Sequence, residues 1–310
     1  MRSHSTLFLT TLFALSLAAT AHAQSSRTWV SSTGVDTNTC TRTAPCHTFN
    51  RAISVTSAGG EVSVVDNANY GTATITKSIT IDGFGAMPGV IAAAGNYTFV
   101  IQAAATDRVI LRNLSLNGNG AGQTLPAISG IDFRSGGSLI VENCDIWGYG
   151  AAGIVISATA PADFFFTRTH VFANVAGNAD GIIFNQTSTT AEATIDDCTI
   201  SDVNGRGIYA NNGTKLSIRN TRIEHSGKGV VVDQGTLATN VTIENTSIKG
   251  CTTGLRNGTG NPTTTLNNVS IEQNSIGIDF NAGVINSYGN NKIAGNGVNN
   301  GGGFTSVLPQ

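Results

Sequence analysis

A short phrase, glycine followed by apolar–x–apolar, keeps returning along this chain. It reads GIDF at Gly130, GIVI at Gly153, GIIF at Gly181, GIYA at Gly207, GVVV at Gly229, GLRN at Gly254 and GIDF at Gly277, a period of about 22 to 28 residues of the kind that marks a stacked-repeat architecture. Only the GLRN copy breaks the alternation, because Asn257 falls where an apolar residue is expected. A second phrase, apolar–x–polar–x–x–apolar, follows each start: LRNLSL from Leu111, VENCDI from Val141, IDDCTI from Ile195, IRNTRI from Ile218, IENTSI from Ile243 and LNNVSI from Leu266, with FTRTHV and YGNNKI as variants. Its polar position runs Asn113, Asn143, Arg168, Asp197, Asn220, Asn245, Asn268, Asn290.

Alternating apolar pieces this short are strands with one buried face. A unit holding about three of them cannot bury a core alone, so successive copies must stack. Stacking at about 4.8 Å puts equivalent residues directly above one another. Asparagine tolerates the left-handed turn conformation, and its amide can bond to the asparagine one turn away. An asparagine ladder is therefore expected, with Asn220→Leu costing more stability than Asn212→Leu. The irregular period fits fixed strands with bulging loops, and neither a leucine-rich nor a W-D consensus is present.

Composition agrees. The 310 residues include 37 glycines and are 40% hydrophobic but only 12% charged, with net charge −2. So few charges argue against nucleic-acid binding and against a charged disordered tail. Arg2, the largely apolar stretch Leu7 to Ala18 and Ala21-His22-Ala23 read as a cleavable export signal, too short for a membrane span. An exported, extracellular, periplasmic or cell-surface protein is expected, with no transmembrane segment. In an oxidising compartment Cys40 and Cys46, close together in one polar loop, are expected to be bridged. Cys144 and Cys198 fall on inward positions two turns apart, beyond disulfide reach, while Cys251 is an unpaired turn residue. No metal or cofactor pattern is evident, and Asp36-Thr37-Asn38 alone supplies far too few oxygens for calcium.

The phrase order resembles that of right-handed parallel β-helices of the pectate-lyase-like superfamily, and most closely exported bacterial repeat proteins without an assigned activity. The resemblance covers about Arg27 to Gly297. It implies an all-β, single-stranded right-handed parallel β-helix with a short N-terminal capping helix. The expected division is a signal peptide (1–23), a cap with a disulfide loop (24–60), β-helix coils (61–297) and a tail (298–310). Thr48 to Thr56 is then an amphipathic helix with a Thr N-cap and Phe49, Ala52 and Ile53 inward, sealing the open end of the stack. Phe304, Val307 and Leu308 are expected to cover the last coil.

With Ile131 and Phe133 inward, Asp132 and Arg134 face out. The same register stacks Asp196, Arg219 and Glu244, and also Glu224, Lys249 and Glu272, as alternating charge pairs. It makes Asp145 and His170 outward neighbours on adjacent turns, with Trp147 and Phe172 two residues on and Tyr149 following. A carboxylate, an imidazole and aromatic faces are what a carbohydrate site needs, so Asp145 and His170 are the candidate acid–base pair. On the first strand Val155, Ile183, Tyr209 and Val231 point outward in an apolar stripe rimmed by Ser157, Asn185, Asn211 and Asp233. Such a stripe marks an interface, with Tyr209 a stacking platform or the face a route to self-association. The polygalacturonase set N-T-D, D-D, H-G and R-I-K is not present as a set. The leading reading is a non-catalytic solenoid that binds a polysaccharide, a cell-surface glycan or another macromolecule, or acts as a spacer. The alternative is a polysaccharide lyase or glycoside hydrolase acting on the outer face, and an adhesin module is a third class.

Overall fold

The computed structural model describes residues 25–119, 125–173, 177–186, 188–300 and, as backbone, 305–306. The expected signal segment and Phe304, Val307 and Leu308 lie outside the described residues. The chain winds as an all-β right-handed parallel solenoid of about 9 turns. A complete turn contributes three strands, for example Ser129–Ser135, Ser138–Glu142 and Asp145–Trp147. They enter three parallel sheets, named here first, second and third in that order, which among the described residues hold 10, 12 and 9 strands. Register holds through most turns, with shifts near Ser25 and at Gln102, and Ile154 pairs with Ile131 of the turn before and Ile182 of the turn after.

The recurring glycine has a steric cause. A Cβ on Gly181 would stand 2.4 Å from the Gly207 carbonyl oxygen and 2.9 Å from Ile200. On Gly229 it would stand 2.4 Å from the Gly254 carbonyl oxygen and 2.5 Å from Ile248. Where the chain passes from third sheet to first, the next turn leaves no room for a side chain. Just inside, Ile131, Ile154, Ile182, Ile208, Val230, Leu255 and Ile278 form one buried column.

The polar positions of the second phrase occupy left-handed corners between second and third sheets. Asn113, Asn143, Arg168, Asp197, Asn220, Asn245 and Asn268 all have φ between 47° and 58°. The amide ladder is partial and lies on the outside. Asn143 Nδ2 donates to Asn113 Oδ1 at 2.8 Å and Asn268 Nδ2 to Asn245 Oδ1 at 2.8 Å, whereas Asn220 donates to Asp196. Arg168 and Asp197 interrupt it because neither can both donate and accept. Continuity instead comes from backbone bonds such as Asn220 N to Glu244 O.

Buried asparagines do more inside the coil. Asn274 Nδ2 donates to the Ile248 carbonyl and to Asn296 Oδ1, while its own Oδ1 accepts from Cys251 N–H. Cys251, expected as a turn residue, is thus buried beneath its turn, and burial raises its thiol pKa to about 11. Cys144 and Cys198 are buried free thiols in one inward column with Thr169 between them.

At the N-terminal end the Cys40–Cys46 disulfide is present. The helix Phe49–Val55 follows its N-cap Thr48, whose Oγ1 accepts from Arg51 N–H at 3.2 Å, and buries Phe49, Ala52 and Ile53. Asp36 does structural work here, accepting from the N–H groups of His47 and Thr48 at 2.9 Å each and from Thr48 Oγ1 at 2.8 Å. The strand Ser25–Val30 beneath this cap is the first rung of the second sheet. Among the described residues no helix is long and apolar enough to cross a membrane.

Candidate functional site

On the third sheet Asp145 and His170 are register partners, as are Trp147 and Phe172. The side chains of the first pair make no ion pair. His170 turns away, and its Nε2 lies 3.1 Å from Ser201 Oγ on the following turn. Its ring packs on Phe172 at 4.1 Å between centroids, and Trp147 lies over Phe172 from the preceding turn at 5.9 Å with 15° between planes. Phe172 therefore packs against both rings. Burial disfavours the charged imidazolium and lowers the His170 pKa, an effect the Asp145 charge partly offsets. Tyr149 does not continue this outward aromatic group. It is fully buried, with its hydroxyl 2.7 Å from Thr98 Oγ1.

The first sheet has a longer outward row: Val100, Asp132, Val155, Ile183, Tyr209, Val231, Arg256 and Asp279 follow one another in register. Val155, Ile183 and Tyr209 are half-buried. Val231, although outward, is only 4% exposed, so the accessible stripe is shorter than the alternation suggests.

Charge on this face is organised in pairs. Arg134 Nε is 2.7 Å from Asp132, which it covers almost completely. Arg206 meets Asp180 through Nη2 at 2.6 Å and Nε at 3.1 Å, and the Arg206 backbone N–H donates to the same carboxylate at 2.6 Å. Arg256 lies 3.6 Å from Asp279, and Asp233 accepts from Thr259 N–H at 2.6 Å. The Arg206 guanidinium stacks over Tyr209 at 3.7 Å. Burial, then the nearby Asp233 charge, pushes the Tyr209 phenol above its ordinary value. Beside the row Asn211 Nδ2 donates to Asn185 Oδ1 at 3.1 Å, an amide pair on the outer surface. Asp180 and Arg206 carry no sequence motif; only their place just before the repeat glycine reveals that they fall on this face.

These carboxylates are occupied by guanidinium and backbone partners. The arrangement offers instead a semi-apolar strip with fixed hydrogen-bonding groups. Among the described residues no three His, Cys, Asp or Glu side chains converge to hold a metal ion.

A family model described as "right handed beta helix region" matches residues 180–308. Three solved structures are similar in fold. A pectate lyase superposes with TM-score 0.58 at 14% identity, covering 84% of this chain and 67% of the other. A GH136 lacto-N-biosidase from Eubacterium ramulus gives 0.61 at 12% identity over 91% and 67%. XylC in complex with xylose gives 0.50 at 10% identity over 82% and 70%. No curated protein matches the sequence. In fold, the chain is a right-handed parallel β-helix. At such identities the likeness is one of architecture, and function has to be argued from the side chains.

Proposed function

We propose that this solenoid is an exported, non-catalytic glycan-binding protein, and that a neutral glycan lies along the outer face of its first sheet. One observation carries the reading: an outward strip from Val155 through Ile183 to Tyr209 is flanked by amides and hydroxyls, and nearly all neighbouring charges are cancelled in pairs. Apolar ring faces of a sugar suit the strip, and its hydroxyls suit Ser157, Asn185 and Asn211. Paired charges give no net attraction for a polyanion, so uncharged polysaccharides are the expected class. The carbohydrate enzymes among the structural neighbours support the ligand class, and the bridged Cys40–Cys46 fits an oxidising compartment.

A second reading, a lyase or hydrolase on the third sheet, is favoured by the imidazole of His170 beside Ser201 and the Asp145 carboxylate. Both are tested by offering the mature protein a panel of neutral and acidic polysaccharides and following retention and product release together. Retention on neutral polymers without products supports the binding reading. Turnover abolished by His170→Ala, with melting unchanged, would replace it with the catalytic one.

A further inference from the structure

The outer face of the second sheet has an apolar centre. Ile110, Ile140 and Phe165 are register partners on successive turns, and Phe165 is 48% exposed in mid-sheet. Charged rows flank this centre. Along one edge stand Arg108, Ser138, Asp163, Glu192 and Lys215. Along the other stand Asp82, Arg112, Glu142, Thr167, Asp196 and Arg219.

We propose that this face joins two copies of the chain about a two-fold axis that runs parallel to the strands and passes between Ile140 and Phe165. Such a rotation reverses the order of the turns and keeps the position along each strand. Ile140 then meets Phe165 of the second copy, and the remaining residues find complementary partners. Arg108 falls opposite Glu192 and Arg112 opposite Asp196, each twice by symmetry, while Arg219 faces the turn where Asp82 lies buried against Arg112. Within one chain Arg112 already holds Asp82 at 2.9 Å and Arg219 holds Asp196 at 3.1 Å. Bringing the copies together sets the Arg112 guanidinium, already shared by Asp82 and Glu61, against Asp196. Ile110 falls opposite Thr194, at a trough of about 470 Å³ beside Phe165 whose lining includes Thr194 and Ser217. A protruding side chain thus faces a recess.

The charge pattern discriminates between arrangements. A two-fold axis along the solenoid would set Arg108 over Arg112, Glu192 over Asp196 and Lys215 over Arg219. Like charges so placed are repulsive. Only the axis across the solenoid pairs opposite signs around the apolar centre, and aligned sheets can pack face to face at about 10 Å. From Asp82 to Arg219 the contact spans five strand gaps, a footprint of about 24 by 16 Å. That is at the small end of stable interfaces, so association in the micromolar range is expected. The first sheet stays free in such a dimer.

Sedimentation velocity of the mature protein from about 1 to 100 μM tests this. A monomer–dimer equilibrium is expected. Arg108→Glu alone and Glu192→Arg alone should each weaken it about tenfold or more, because each places like charges opposite one another twice. Combining the two restores opposite signs and should restore the dimer. Phe165→Asp, at an exposed position, should leave a folded monomer by circular dichroism. A parent protein that stays monomeric throughout overturns the proposal. So does a dimer indifferent to both single reversals, or one lost in Ile183→Asp on the first sheet.

Discussion

Thr264 donates its hydroxyl to the side-chain oxygen of Asn257 at 2.6 Å, with both residues enclosed in the coil. The Asn257 amide donates to the Val284 and Pro262 carbonyls at 3.1 and 3.3 Å. The asparagine that breaks the apolar alternation is therefore a fully used internal link. Asn257→Leu should cost about 2–3 kcal/mol, since it strands buried polar partners. Adding Thr264→Val should recover part of the loss. Thermal melts of the two variants check this; a double mutant no more stable than the single would count against it.

Asn212 and Asn220 reverse the order expected from sequence. Asn212 is 8% exposed; its Nδ2 donates to the Gln186 carbonyl at 2.7 Å and its Oδ1 accepts from Leu237 N–H at 2.8 Å. Asn220 is exposed and makes one side-chain bond, to Asp196 at 2.8 Å. Both have positive φ, so the backbone cost of replacement is shared. Asn212→Leu should therefore lower the melting temperature more than Asn220→Leu, by about 1–3 kcal/mol of additional destabilisation. Equal shifts would contradict the buried network.

Repeat glycines are predicted to differ from a strand glycine with open space around it. Gly229→Ala drives a methyl into the Gly254 carbonyl and Ile248 and should cost about 1–3 kcal/mol or more. At Gly89 an added Cβ meets nothing within 4 Å, so Gly89→Ala should stay within about 0.5 kcal/mol of the parent. Urea midpoints of the pair measure the contrast.

Acid should loosen the N-terminal cap first. Burial pushes the Asp66 carboxyl up, but hydrogen bonds from the Tyr70 hydroxyl, Ser32 N–H and the Ser31 and Ser32 hydroxyls outweigh it and hold the pKa at about 2. A carboxylate with a depressed folded-state pKa adds stability above its unfolded value, near 4, and loses it as pH falls toward 2. Asp66→Asn should flatten stability against pH across that window. An unchanged profile would remove Asp66 from the account.

Much of the solenoid was legible because each turn repeats the same steric demand: a glycine where the next turn crowds the backbone, then alternate inward apolar residues. The Cys40–Cys46 bridge was readable from local chemistry, and the helix after Thr48 from its Thr N-cap and apolar spacing once the resemblance called for a cap there. Tyr149 was not, because beyond Trp147 the chain leaves the strand at Gly148, with φ 79°, and period two no longer assigns a face. His170 was correctly paired in register with Asp145, yet register fixes Cα positions and leaves rotamers free, so its turn toward Ser201 was invisible. The pairing of Arg206 with Asp180 joins turns 26 residues apart at a corner where loop lengths vary. The two-fold pattern on the second sheet needs six turns aligned at once.

The most direct test of the central claim is equilibrium binding of the best-retained neutral polysaccharide to the parent protein, Tyr209→Ala and Ile183→Asp, with product formation followed in the same samples. The account predicts binding without products, and affinity reduced about tenfold in each variant with melting temperatures close to the parent's. Undiminished binding by both variants, or polysaccharide cleavage by the parent, would contradict it.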